Sequence, residues 1–234
     1  MDGGSSRDLA PPRNFYGRRH GKALRPTQRR HLDELLPRIA VPDPRLGPVD
    51  PLGLLPAAAE IWLEIGFGGG EHLAALAAAH PGNGLIGAEP FVNGVAMALN
   101  QVERAGVGNV RIHAGDARDL LDALPSDSLD RVYLLYPDPW PKARHHRRRF
   151  MKSDNLAALA RVMRPGAELR LATDIGDYAD HACAAAAEAP DFALIKSDPS
   201  VPWDGWFSTR YERKALAAGR KPHYLRFLRL PAAG

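Results

Sequence analysis

Apolar positions recur along this chain with two different periods. Leu32, Leu35, Leu36 and Ile39 return at spacings of three and four, which places them on one face of a helix predicted over Thr27 to Ile39. Pro42, Pro44, Pro48, Pro51 and Pro56 follow and mark an extended linker. From Glu60 onward the pattern changes to short apolar runs, each closed by glycine, proline or an acid. Strands are predicted at Glu60 to Ile65, Gly84 to Glu89, Val110 to His113, Arg131 to Tyr136, Ala167 to Ala172, Phe192 to Lys196 and Pro222 to Leu230. Helices are predicted from Glu71 to His80, after Asp116, from Phe150 to Met163, in an alanine-rich stretch ending at Glu188, and from Ser208 onward. Thr209 and Glu212 satisfy the S/T-x-x-E capping box at the start of the last helix. Strands alternating with helices predict an α/β fold: a doubly wound, seven-stranded, mostly parallel sheet. The division is a basic flexible arm over 1–24, a helix and proline-rich linker over 25–56, and one domain over 57–234.

Charge changes the picture. The chain of 234 residues has a formal net charge of only +4, but its charges are segregated. Residues 7–30 hold eight Lys/Arg and one acid, 142–152 six and none, and 200–234 seven and two, leaving 10 basic against 24 acidic residues elsewhere. An acidic body with three basic patches is the footprint of a nucleic-acid binder, although a solvated basic tail would have the same composition. No apolar run approaches the eighteen or so residues of a membrane span, and Met1 to Pro12 lacks the apolar core of a signal peptide. The single cysteine, Cys183, excludes an internal disulfide and a cysteine zinc site, so a cytoplasmic protein without a metal is expected.

The candidate chemistry lies where predicted strands end. Gly66-Phe67-Gly68-Gly69-Gly70 joins the first strand to its helix, a turn that lets a ligand approach the backbone closely. Glu71 stands where a dinucleotide fingerprint has its third glycine and suits a pyrophosphate poorly, which disfavours an NAD-linked reductase. Glu64 precedes the turn and is placed to accept from a ligand ammonium group. Glu89 ends the second strand about twenty residues on, the placement that reads ribose hydroxyls. Asp116 follows the third, able to accept from an adenine amino group or simply to cap the next helix. After the fourth strand, three prolines in Pro137-Asp138-Pro139-Trp140-Pro141 restrain the backbone around one carboxylate and one indole. Lys142 and the run Arg144, His145, His146, Arg147, Arg148 and Arg149 come directly afterwards without an acid. Together these suggest a base-modifying site with its nucleic-acid tether attached.

These residues carry a resemblance. Arg13 to Arg19, Leu63 to Gly68, Tyr136 to Lys142 with Arg144 to Arg149, Thr173-Asp174 with Tyr178, and Thr209 to Glu212 closely resemble the bacterial tRNA (guanine-N7-)-methyltransferase family, over about Arg13 to Leu230. The Pro-Asp-Pro-Trp block with its basic run is the specific part; the glycine turn indicates only the class I methyltransferase superfamily, with its Rossmann-like sheet. The resemblance implies S-adenosylmethionine as cofactor, held by Glu64, Gly66, Gly68, Glu89, Asp116 and Asp138, with Asp138 the active-site acid. It implies substrate contacts from Lys142, Asp174, Thr209, Arg210, Tyr211 and Glu212, and RNA contacts from Arg144 to Arg149. The implied target is the guanosine at position forty-six, in the variable loop of tRNA. No protein partner is required, and a monomer or weak homodimer is expected. Two departures are small: Ala143 stands where the family usually has a basic residue, and Gly69 where a larger one is common. The competing readings are methylation of an exocyclic amine, separable by the product nucleoside, and a noncatalytic RNA-binding protein on the same scaffold, separable by cofactor binding.

Overall fold

A computed structural model describes residue 17 and residues 19–231. Seven strands form one sheet: β1 (Ile61–Ile65), β2 (Gly84–Ala88), β3 (Val110–His113), β4 (Leu129–Leu135), β5 (Met163–Thr173), β6 (Phe192–Leu194) and β7 (His223–Arg229). Their order is β3-β2-β1-β4-β5-β7-β6. Only β7 runs against its neighbours. Between β1 and β4 the chain reverses the direction in which it adds strands, and that switch point opens a crevice at the carboxyl ends of the strands. Ile65 is level with Ala88 on one side and Leu134 on the other, so the residues leaving β1, β2 and β4 emerge side by side.

Both faces of the sheet are covered, which is why the central strands read as nearly continuous apolar runs. Ile61, Leu63, Ile65, Val132 and Leu134 face a core built with α6 (Ala117–Ala123), α7 (Ser153–Val162) and α8 (Gly176–Ala187). Trp62, Tyr133 and Leu135 face the other side, under α4 (Glu71–Ala79) and α5 (Val92–Ala105). α5 has no counterpart among the predicted helices, although Val95, Leu99 and Val102 form its buried stripe and Gly106, in the left-handed region, ends it.

The predicted N-terminal helix is present but not regular. It consists of α1 (Pro26–Arg30), a π segment His31–Leu35 and α2 (Leu36–Ile39). Leu36 N–H reaches back five residues to His31 O, the wider turn relieving the clash that Pro37 would make with a regular α turn. His31 is buried and its Nε2 lies 2.9 Å from Glu103 of α5. The proline-rich stretch is not free chain either: Val41 N–H donates to Ile112 O at 2.9 Å, Val49 N–H to Ala123 O at 3.0 Å, and a short helix α3 (Pro51–Leu54) lies between them and β1. Pro165-Gly166, between the predicted helix and the predicted strand at Ala167, lies inside the longer β5, at an irregularity where its pairing with β4 jumps from Leu129↔Met163 to Arg131↔Glu168. Among the described residues no helix is long and apolar enough to cross a membrane.

Candidate active site

A cavity of about 980 Å³ opens at the switch point. Its floor is Ile65, Gly66, Gly68, Ala88, Leu134 and Leu135, the ends of three adjacent strands. Gly66, Gly68 and Gly70 all have positive φ, a backbone that L side chains rarely adopt. A Cβ on Gly66 would meet nothing within 4 Å; it would project into open space beside the turn. Gly94 of α5 is tight for the opposite reason, since a Cβ there would lie 2.6 Å from Gly68 O. The turn is therefore a concave backbone surface, pressed from behind by a helix.

Glu89 braces that turn. One carboxylate oxygen accepts from Gly68 N–H at 2.8 Å and the other from Phe91 N–H at 2.9 Å. Each oxygen keeps a lone pair for a ligand hydroxyl. Burial pushes the Glu89 carboxyl above its ordinary value, against the lowering effect of those two N–H groups. Asp116 lies on the same wall, capping α6 by accepting from Arg118 N–H at 3.0 Å and gripped by the Arg118 guanidinium. Asp116 thus caps α6 and lines the cavity at the same time.

The opposite wall is the loop after β4. Tyr136 and Trp140 have φ of +50° and +44°, unusual for bulky residues, and they flank Pro137-Asp138-Pro139. Such strain persists where the surroundings over-determine it, and it is concentrated at functional sites. Asp138 is exposed at the cavity rim between them. The basic run forms a 3-10 helix over Ala143–Arg148. Arg148 lies 4.9 Å over the Trp140 ring and His145 meets its edge at 6.1 Å. Desolvation, followed by the surrounding cations, pushes His145 below its ordinary value. Lys142, Arg144 and Arg147 are exposed and His146 is half-buried, 3.8 Å from Asp177.

Arg149 departs from the reading that grouped it with the RNA contacts. Its side chain is 1 % exposed, donates to Pro139 O at 2.9 Å and to Asp177 O at 3.3 Å, pairs with the Asp177 carboxylate, and lies over the Tyr178 ring. A guanidinium so enclosed ties the Asp138 loop to the start of α8 and is not presented at the surface with Lys142, Arg144 and Arg147. Glu64 departs as well. Side-chain alternation along β1 turns it with Trp62 toward the α4 face, where its Oε2 lies 2.8 Å from His72 Nδ1 and it is absent from the cavity wall. His72 itself sits among Tyr133, Trp206 and Phe207.

The Thr209 to Glu212 segment splits between two duties. Thr209 caps α9 (Arg210–Ala217), its Oγ1 accepting from Glu212 N–H at 3.0 Å. The reciprocal half of the expected capping box is missing, because the Glu212 carboxylate accepts from Trp206 Nε1 at 3.0 Å and from Tyr224 OH instead. Both residues are buried. Arg210 pairs with Glu71, and Tyr211 lines the cavity. Asp174 accepts from Arg220 Nε at 2.5 Å, away from the cavity wall. Part of the aromatic and basic stretch Arg13 to Lys22 lies outside the described residues. Its end is docked: Asn93 accepts from Gly21 N–H and donates to Lys22 O, both at 2.7 Å, and Gly17 reaches the cavity.

Residues 58–225 match a family model described as "Putative methyltransferase". The chain is similar to a tRNA (guanine-N(7)-)-methyltransferase of Paracoccus denitrificans, 54% identical over 225 residues covering 94% of this chain and 96% of that protein. Proteins of the same name from Roseobacter denitrificans and Nitrobacter winogradskyi are 52% and 48% identical, covering 96% and 94% of this chain and 99% and 87% of theirs. Among solved structures, the 16S rRNA methyltransferase KamB aligns with a TM-score of 0.55 at 17% identity, over 76% of this chain and 92% of its own. TrmN from Thermus thermophilus aligns at 0.52 and 20%, over 76% and 47%. At those identities the two structures establish the fold, and the sequence relatives establish the family: the chain belongs to the tRNA (guanine-N(7)-)-methyltransferases.

Proposed function

We propose that this protein methylates N7 of a guanosine in the variable loop of tRNA, position forty-six, in the cytoplasm, with S-adenosylmethionine as donor. The observation that carries the reading is the placement of Asp138, exposed on a strained loop at the rim of a cavity whose other wall is a braced glycine turn, with a basic helix alongside. Gly66 and Gly68 would receive the cofactor against bare backbone, Glu89 would accept from its hydroxyls, and Asp116 would close the far end. When bound, S-adenosylmethionine supplies an electrophilic methyl group on a sulfonium centre. Guanine N7 has an in-plane lone pair and no proton, so no residue has to act as a base. What the chain must supply is orientation, and a negative field where positive charge accumulates on the purine. Asp138 serves both ends, while Lys142, Arg144 and Arg147 offer exposed cations to the RNA backbone.

Incubating unmodified tRNA with the purified protein and labelled S-adenosylmethionine, followed by nucleoside analysis, tests the proposal. The label is expected in 7-methylguanosine, and a transcript with 7-deazaguanosine at the target should stay unlabelled while still competing for binding. Label in an N2-methylated guanosine would replace this reading with amine methylation.

A further inference from the structure

Glu71 and Gly69 belong to no part of the site described so far, yet both touch the same side chain. Arg210, first residue of α9, donates from Nε to Glu71 Oε1 at 2.6 Å and also from Nη2, and its Nη1 lies 3.5 Å from Met97 Sδ on α5. Arg210 is 30% and Glu71 25% exposed, so the pair is partly sheltered from solvent. The guanidinium occupies the space above Gly69: a Cβ at that position would fall 2.2 Å from Arg210 Nη2 and 2.6 Å from its Cζ. Gly69 is not one of the positive-φ glycines, so its backbone would tolerate a side chain; it is the guanidinium and, at 2.9 Å, Glu71 Oε2 that leave no room. The missing side chain at 69, the acid at 71 and the arginine at 210 form one fitted set.

What the set positions is Tyr211. Its ring lies against the glycine turn, with a Cβ on Gly68 falling 3.2 Å from Tyr211 Cε2, and it stacks on Tyr136 at 6.4 Å and 20°. Tyr211 is therefore the piece of cavity wall that joins the glycine turn to the loop of Asp138. Tyr211 nevertheless remains 46% exposed, so packing alone does not anchor it. We propose that the Glu71–Arg210 ion pair is a latch that holds Tyr211 as a wall of the cofactor cavity, and that Gly69 is the gap through which the latch closes. Arg210 is on this account a positioning residue for cofactor binding rather than a contact to the guanosine. The proposal rests on the cofactor reading above.

The test is binding of S-adenosylhomocysteine to the full chain by calorimetry and stopped-flow dissociation, with tRNA affinity measured in parallel. Wild type must bind; no binding there would overturn the cofactor reading itself and leave the latch without a ligand. Given wild-type binding, Glu71→Gln, Arg210→Gln and Gly69→Ala should each raise Kd on the order of three- to tenfold through faster dissociation, the scale of a partly sheltered, multiply bonded ion pair. Gly69→Ala removes no polar group and displaces only the ends of two flexible side chains, Arg210 and Glu71, so it keeps the test open if a charge variant unfolds. In a Tyr211→Ala background the three changes should have no further effect, since the wall they hold is gone. Unchanged Kd in all three variants, full additivity with Tyr211→Ala, or a loss confined to tRNA affinity would each overturn the latch.

Discussion

Replacing Arg149 separates a structural cation from an RNA-binding one. Arg149→Ala would leave Pro139 O without its donor, a loss of about 1 to 3 kcal/mol for a sheltered polar group. Removing the guanidinium from the face of Tyr178 adds roughly 0.5 to 2 kcal/mol. A destabilisation of about 1.5 to 5 kcal/mol lowers Tm by roughly 3 to 20 °C in a chain of this size. The loop released is the one carrying Asp138, and displacement of a reacting constellation by an ångström costs about a hundredfold in rate. Arg149→Lys is the sharper variant, because it keeps the charge but cannot serve Pro139 and Asp177 with one planar fork. Thermal melts, single-turnover methylation at saturating tRNA, and the salt dependence of tRNA binding should be measured on the same preparations. Both variants should lose stability and rate with an unaltered salt slope. If Arg149→Lys behaves as wild type while Arg149→Ala flattens the slope by about one unit, Arg149 is a phosphate contact and the inward placement is not what matters in the complex.

The exposed cations should give the reverse pattern: Arg144→Gln with Arg147→Gln should flatten the log-log salt slope of tRNA binding by up to about one unit per lost phosphate contact, with S-adenosylhomocysteine affinity unchanged by calorimetry. Asp138→Asn keeps size and loses charge, so it should fold and bind cofactor but lose on the order of a hundredfold in single-turnover rate; a near-normal rate would show that the field of Asp138 is dispensable. Burial raises the Glu89 carboxyl above 4.5, so on lowering the pH it takes up its proton earlier than an ordinary glutamate. Cofactor affinity should therefore begin to fall at a pH above 4.5, a decline absent in Glu89→Gln. The sign for stability is opposite, because a group more easily protonated folded than unfolded costs stability above its folded pKa and ceases to do so below the unfolded value. Asp43, held at about 2 by the Arg45 side chain, behaves in the usual way: its contribution is present above 3.8 and disappears as the pH falls through about 2.

The residues that terminate strands were legible in the sequence, because a strand ends at a break in an apolar run and a doubly wound sheet brings such ends together. Gly66, Gly68, Glu89, Asp116 and Asp138 all meet at one cavity for that reason. The charge segregation was legible too, being a property of composition. What the linear pattern does not encode is the direction of a side chain within a run of like residues. Arg149 reads as the last member of a basic cluster, and only the docking of α8 against the loop supplies the acceptors that turn it inward. Glu64 is placed at the right strand end, but alternation along β1 turns it with Trp62 to the α4 face, where His72 on the next helix takes its carboxylate. Thr209 and Glu212 satisfy a local capping rule, yet Trp206, just ahead of the helix, and Tyr224 of β7 take the carboxylate that the rule assigns to the backbone. In each case at least one competing partner, Asp177, His72 or Tyr224, lies on a neighbouring element. Local sequence therefore specifies where a polar group emerges, whereas the packing of distant elements decides which of its possible partners it satisfies.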